Sequence, residues 1–161
     1  MSEKIKNFLF SAFLVVITGG LCSYFTHWGI TNWYGFIPAV AYTPPNYVFS
    51  IAWSLIYAGL TISYWRVLNT TSEDNKYAGS LFLLQLILQI VWCFLFFYKG
   101  MVLAGFVVIL WLIFTVLRMI KVFTKIDMTA GVLNYFYILY ISFAAFLNLS
   151  FMYANGYIVN F

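Results

Sequence analysis

The sequence predicts an all-α integral membrane protein, a bundle of five transmembrane helices that forms one domain over residues 1–161. Three observations predict it. The chain is 65% hydrophobic and only 7% charged, whereas a soluble domain is about a quarter charged, so a water-facing surface cannot be assembled from it. Its apolar residues fall into five runs of the length a bilayer demands, about 20 residues of helix. None of the runs alternates as a barrel strand would, and in lipid a helix is the other way to satisfy every backbone group internally. Soluble, disordered and coiled-coil classes are excluded by the same composition. Eight Lys/Arg, widely dispersed, make no phosphate-binding surface, so no nucleic-acid partner is expected.

The runs cover 8–25, 47–67, 79–98, 102–120 and 131–154, and each ends at a punctuation mark. Lys4 and Lys6 precede the first. Its apolar run is long and no small-x-small cleavage pattern follows, so it is read as a retained helix and not a signal peptide. A long loop over 26–46 comes next, carrying Trp28, Trp33, Tyr34, Tyr42, Pro38, Pro44 and Pro45 and no Asp, Glu, Lys or Arg. Such a loop is expected to fold over the helix ends. Pro44-Pro45 opens the second helix, and the polar stretch from Asn69 to Lys76 separates it from the third. Lys99-Gly100 makes a tight turn into the fourth, and Lys121 to Asp127 links the fourth to the fifth.

The basic residues give an orientation. Lys4, Lys6, Arg66, Lys76, Arg118, Lys121 and Lys125 fall on the amino-terminal side and Lys99 alone on the other. The positive-inside rule then places the amino terminus in the cytoplasm, with the carboxyl terminus and the loop 26–46 outside.

Polar and aromatic residues recur at helical spacing on three spans. Asn46, Ser50, Trp53, Tyr57, Thr61 and Tyr64 share one face of the second. Gln85, Gln89, Trp92 and Phe96 do so on the third, and Tyr137, Tyr140, Ala144, Asn148, Met152 and Asn155 on the fifth. Amides in hydrocarbon need partners inside the bundle, so these stripes are expected to face one another. They suit either an aromatic-walled pocket or plain interhelical hydrogen bonding. Trp28, Trp65 and Trp111 read as interfacial or lipid-facing.

Catalytic groupings are lacking. No acidic residue occurs within a span, which argues against ion-coupled transport. Cys22 and Cys93 lie in apolar runs and read as small hydrophobes. His27 has no acid or thiol beside it and reads as an interfacial side chain, and no metal-ligand cluster is present.

Trp33-Tyr34, then Thr43-Pro44-Pro45-Asn46-Tyr47-Val48, then Trp53 and Tyr57, resemble the signature of the TspO/MBR family. These are the tryptophan-rich sensory proteins whose animal members are the mitochondrial translocator protein, or peripheral benzodiazepine receptor. The likeness continues at Gln85, Gln89, Trp92 and Phe96-Phe97, and closes at Tyr137, Tyr140, Phe143-Ala144, Leu147-Asn148 and Asn155. Ser23-x-Phe25-x-His27 also looks like the animal members. The chain departs from the pattern where the family's tryptophans are Tyr42, Tyr47, Ile90 and Tyr140, where its asparagine is Gln89, where its Pro-Val is Ile51-Ala52, and where prolines are replaced by Cys93, Phe94 and Phe136.

The resemblance implies a homodimeric membrane receptor or sensor that binds porphyrins of the protoporphyrin type, or similar apolar ligands, beneath the first loop, with no cofactor required. The ligand-binding residues carried over are Tyr34, Pro44, Pro45, Asn46, Tyr47, Trp53, Tyr57, Gln89, Trp92, Phe96, Tyr140, Phe143, Ala144 and Asn148. Gly19-Gly20, Gly100, Ala104 and Gly105 permit close helix contacts for a dimer. Two further activities are implied as alternatives. One is porphyrin breakdown, with Trp53 and Tyr140 as redox residues. The other is uncoupled transport of the same molecules. A sterol motif of the animal members needs a basic residue where this chain has Tyr153, and a formal match at Leu60–Arg66 through Tyr64 carries no sterol specificity. The basic bias fits a bacterial cytoplasmic membrane.

Overall fold

A computed structural model of the chain describes residues 2–37 and 43–156. Among them lie five helices long and apolar enough to cross a membrane, and no strand. Helix α1 spans Glu3–Asn32, with Glu3 in its first turn where the helix dipole favours an anion. It is longer than the sequence predicts. The apolar run ends near residue 25, but the helix continues through Asn32, because Trp28 packs on Tyr98 with ring centroids 4.6 Å apart and holds the polar extension down. A single 3₁₀ turn, Tyr34–Phe36, follows. The loop expected over 26–46 is therefore shorter than predicted, and Pro38 and Tyr42 lie outside the described residues.

Helix α2, Asn46–Leu68, starts directly after Pro45, since the residue before a proline is pushed out of the helical region. Helix α3, Asn75–Cys93, runs on as a π turn over Phe94–Tyr98. Gly100, at φ 65°, then reverses the chain in the left-handed region that glycine adopts without strain. Helix α4 spans Val102–Ile126, so most of the linker predicted over Lys121 to Asp127 is helical. Asp127 is extended and caps the short α5, Met128–Val132, by accepting a hydrogen bond from the Ala130 amide at 2.8 Å. After a break at Leu133–Asn134, α6 runs over Tyr135–Ala154. The predicted fifth helix is thus two helices.

The bundle differs between its two ends. At the end carrying the basic residues it is solid. Tyr64 stacks on Phe82 at 3.9 Å and Phe123 packs beside them. Asn134 donates to Ser63 Oγ and to the Ala130 carbonyl, both at 2.7 Å, which ties the α5–α6 break to α2. Trp65 Nε1 reaches the Lys4 carbonyl, and Arg66 makes a two-pronged pair with Asp127 at 2.9 and 2.7 Å. These bonds gather the ends of α1, α2, α4 and α5, which confirms that Lys4, Arg66 and Lys125 share one side. At the opposite end the helices part around a cavity. Its far wall is held by Trp33, whose Nε1 donates to the Phe97 carbonyl at 2.6 Å.

Candidate functional site: an aromatic cavity at the loop end of the bundle

The cavity encloses about 950 Å³, at the upper end of the range of small-molecule sites, about 300–1,000 Å³. The second-helix stripe supplies one wall. Asn46, Ser50, Trp53, Tyr57 and Thr61 all line it. Trp92 and Phe96 come from α3 and its π turn, and Ala144 and Asn148 from α6. Tyr34 closes it near the loop, stacked on Phe151 at 5.3 Å and edge-on to Phe96 at 5.7 Å. The π turn matters here. A π turn inserts an extra residue per turn and re-aims the side chains that follow, and Phe96 and Phe97 both reach the cavity from it.

Trp53 is the centre of an aromatic cluster. Its ring lies 5.7 Å from Tyr57, 6.4 Å from Trp92, 6.3 Å from Tyr137 and 5.6 Å from Tyr140, the last edge-on. Such edge-on and tilted pairs hold rings in fixed orientation. The polar groups fall into two sets. Gln85 and Gln89 are fully buried behind the cavity: Tyr137 OH donates to Gln85 Oε1, and Gln89 Nε2 donates to Tyr57 OH, each at 2.9 Å. Trp92 Nε1 and both amide atoms of Asn148 are buried with no hydrogen-bond partner among the described residues. Trp92 and Asn148 are both cavity-lining. Among the described residues no Asp, Glu, Lys or Arg is in the wall, and His27 stands exposed at its edge.

Of the fourteen residues expected at the site, eight meet in the wall: Tyr34, Asn46, Trp53, Tyr57, Trp92, Phe96, Ala144 and Asn148. Six lie off it. Gln89 stands behind Tyr57 as its hydrogen-bond partner. Tyr140 supports Trp53, with its hydroxyl buried and without a hydrogen-bond partner among the described residues, and Phe143 packs against Tyr140 at 6.4 Å. Pro44 and Pro45 end the loop before α2, and Tyr47 points outward at 67% exposure. The sequence reading missed α1 altogether, yet Val15, Gly19, Cys22, Thr26 and Ile30 form the wall opposite α2. The available signal was a row of small residues at three- and four-residue steps. Trp111, read as lipid-facing, is 64% exposed. The formal sterol match is not presented to lipid, since Tyr64 is buried on Phe82 and Arg66 is paired with Asp127.

The TspO/MBR family profile matches residues 10–154. The chain belongs to the TspO/MBR family. It is 29% identical over 159 residues to the tryptophan-rich protein TspO of Chlorobaculum tepidum, covering 96% of this chain and 99% of that one. It is 30% identical over 153 residues to the protein of the same name from Archaeoglobus fulgidus, covering 95% and 99%. The protein CrtK of Rhodobacter capsulatus is 27% identical over 120 residues, covering 73% and 75%. This TspO/MBR chain is accordingly an integral membrane protein.

Proposed function

We propose that the protein is a membrane receptor or sensor for flat apolar ligands with polar edges, porphyrin-type tetrapyrroles foremost, held in the cavity between α1, α2, α3 and α6. One observation carries the reading: a 950 Å³ aromatic chamber in which Trp92 Nε1 and the Asn148 amide have no hydrogen-bond partner among the described residues. A buried polar atom without a partner is costly, and a ligand's donor or acceptor edge relieves that cost while its ring lies against Trp53 and Tyr57. The described residues of the wall include no Lys or Arg to pair a carboxylate, so any acidic substituent of the ligand points to the exposed rim at His27. Family membership supports the same reading. On the positive-inside rule the loop end faces away from the cytoplasm, in a bacterial cytoplasmic membrane, and the family likeness suggests a homodimer.

Titration of the detergent-solubilised protein with protoporphyrin, followed by tryptophan quenching, tests this. The Trp53→Ala, Trp92→Ala pair is expected to weaken binding at least tenfold, and unchanged affinity removes the site. A second reading rests on the 5.6 Å edge-on contact between Trp53 and Tyr140, which places two oxidisable rings together beside the cavity. It predicts that bound protoporphyrin loses its absorbance under light and oxygen, and that Trp53→Phe with Tyr140→Phe slows the loss at least tenfold. Equal bleaching by that variant leaves binding as the function.

A further inference from the structure

We propose that the cavity opens sideways into the bilayer through a seam between α1 and α2, so that its guest is a membrane-dissolved amphiphile that arrives from lipid without crossing the outer loop. The inference deepens the binding reading above and rests on the same chamber, but on a separate observation. The cavity-lining residues along the facing edges of these two helices are exposed: Val16, Gly20, Ser23 and His27 on α1, and Asn46, Ser50, Ser54 and Ala58 on α2. Wall residues of α3 and α6, such as Trp92, Cys93 and Asn148, are buried. The open edge of α2 spans twelve residue steps, about 18 Å at the helical rise, which is more than half the apolar thickness of a bilayer.

The edges are built from small side chains. Gly20 would place an added Cβ in open space, with nothing within 4 Å. Beside it Gly19 approaches Tyr57, where an added Cβ would meet the ring at 3.0 Å. The α4–α6 contact, by contrast, is filled, with Ile109, Leu112 and Ile141 fully buried. The hydroxyls of α2 also suit lipid contact. Ser50 donates to the Asn46 carbonyl, Ser54 to the Ser50 carbonyl and Thr61 to the Tyr57 carbonyl, at 3.3, 2.8 and 2.9 Å. Each of these three is satisfied within its own helix, so acyl chains can lie against them without stranding a donor. The oxygens keep a lone pair free for the polar edge of a passing guest.

Two measurements test the seam in bilayers. In vesicles of phosphatidylcholine brominated on the acyl chain, the Trp53 contribution is obtained by difference from Trp53→Phe, with the lipid-exposed Trp111 as reference. Trp53 is expected to be quenched within about twofold of Trp111, and Gly20→Phe with Ser54→Phe is expected to cut that quenching at least threefold. A Trp53 that bromine does not reach overturns the proposal, whether the seam is shut or covered by a second copy. Protoporphyrin delivered from vesicles is expected to associate at least tenfold more slowly with the Gly20→Phe, Ser54→Phe variant, and to dissociate more slowly too. An unchanged association rate overturns the seam as the route. If Trp53 is quenched by lipid and protoporphyrin fails to bind the native chain, the tetrapyrrole reading falls and the seam stands.

Discussion

Two glutamines one turn apart on α3 show how the bilayer disciplines single residues. Each is fully buried, and each has found a tyrosine hydroxyl: Gln85 accepts from Tyr137 and Gln89 donates to Tyr57. Removing one partner strands the other in a medium without water, which costs about 1–2 kcal/mol for an interhelical hydrogen bond. Tyr137→Phe is therefore expected to lower thermal stability by about that amount, read as a drop in the melting temperature in detergent. Adding Gln85→Leu to that variant is expected to restore most of the loss, because both polar groups are then gone. If the double variant melts no higher than the single one, the bond is not what holds the pair. Trp92 and Asn148 differ in place: both line the cavity, and neither the Trp92 Nε1 nor the Asn148 amide has a hydrogen-bond partner among the described residues.

At the scale of elements, the helices were legible in the sequence wherever a rule of burial writes them. Five apolar runs, the Pro44-Pro45 start and the Lys99-Gly100 turn all sit where expected. The stripe on α2 also reads correctly from Asn46 to Thr61, since spacing alone puts those residues on one face. Three features were not legible. The extension of α1 to Asn32 depends on Trp28 meeting Tyr98 across the bundle, a tertiary contact. The π turn has no composition of its own. Gln89 reads as a lining residue by spacing, and only geometry shows that Tyr57 stands between it and the cavity. The α1–π-turn junction yields a prediction. A Cβ on Gly29 would stand 2.6 Å from the Phe97 carbonyl oxygen, so Gly29→Ala forces α1 away from the π turn. Destabilisation of about 1–3 kcal/mol is expected, with a loss of ligand affinity because Phe97 lines the cavity. Denaturation and quenching titrations on the same variant check both. The α4–α5 junction gives another. The Arg66 guanidinium, with the Ala130 amide, holds the Asp127 carboxyl below its ordinary value of 3.8. A depressed folded-state value adds stability that is present above the unfolded value and lost as pH falls through the folded one. Asp127→Asn keeps a capping oxygen and removes the charge. Its melting temperature is expected to fall less than that of the native chain between about pH 5 and pH 3, and parallel curves refute the assignment.

The whole molecule is polarised along its long axis, with a solid, basic end and a hollow, aromatic end. The two properties have separate causes that coincide. Stacking of Tyr64, Phe82 and Phe123 fills the interior where Arg66, Lys125 and Lys4 gather, while the small residues of α1 and the π turn leave the other end open. Positive charge is retained on the cytoplasmic side during insertion, so the chain's polarity fixes which compartment the chamber faces. With seven basic residues at one end and Lys99 at the other, the amino terminus is expected inside and the chamber outside. Lys99 sits over the rings of Phe94 and Tyr98, at 5.5 and 5.4 Å, and so is held at the interface by aromatic faces. Fusions test the orientation directly in a bacterial host. A green fluorescent protein at the amino terminus is expected to fluoresce, and alkaline phosphatase after Ala154 is expected to be active, each reporter working on one side alone. The reverse pattern would place the chamber towards the cytoplasm, where its ligand would have to come from the inner leaflet. Reversing the charges tests the cause. Replacing Lys4, Lys6, Lys121 and Lys125 by Gln while adding lysines beside Lys99 is expected to lower both signals together, because the same rule then favours the opposite insertion.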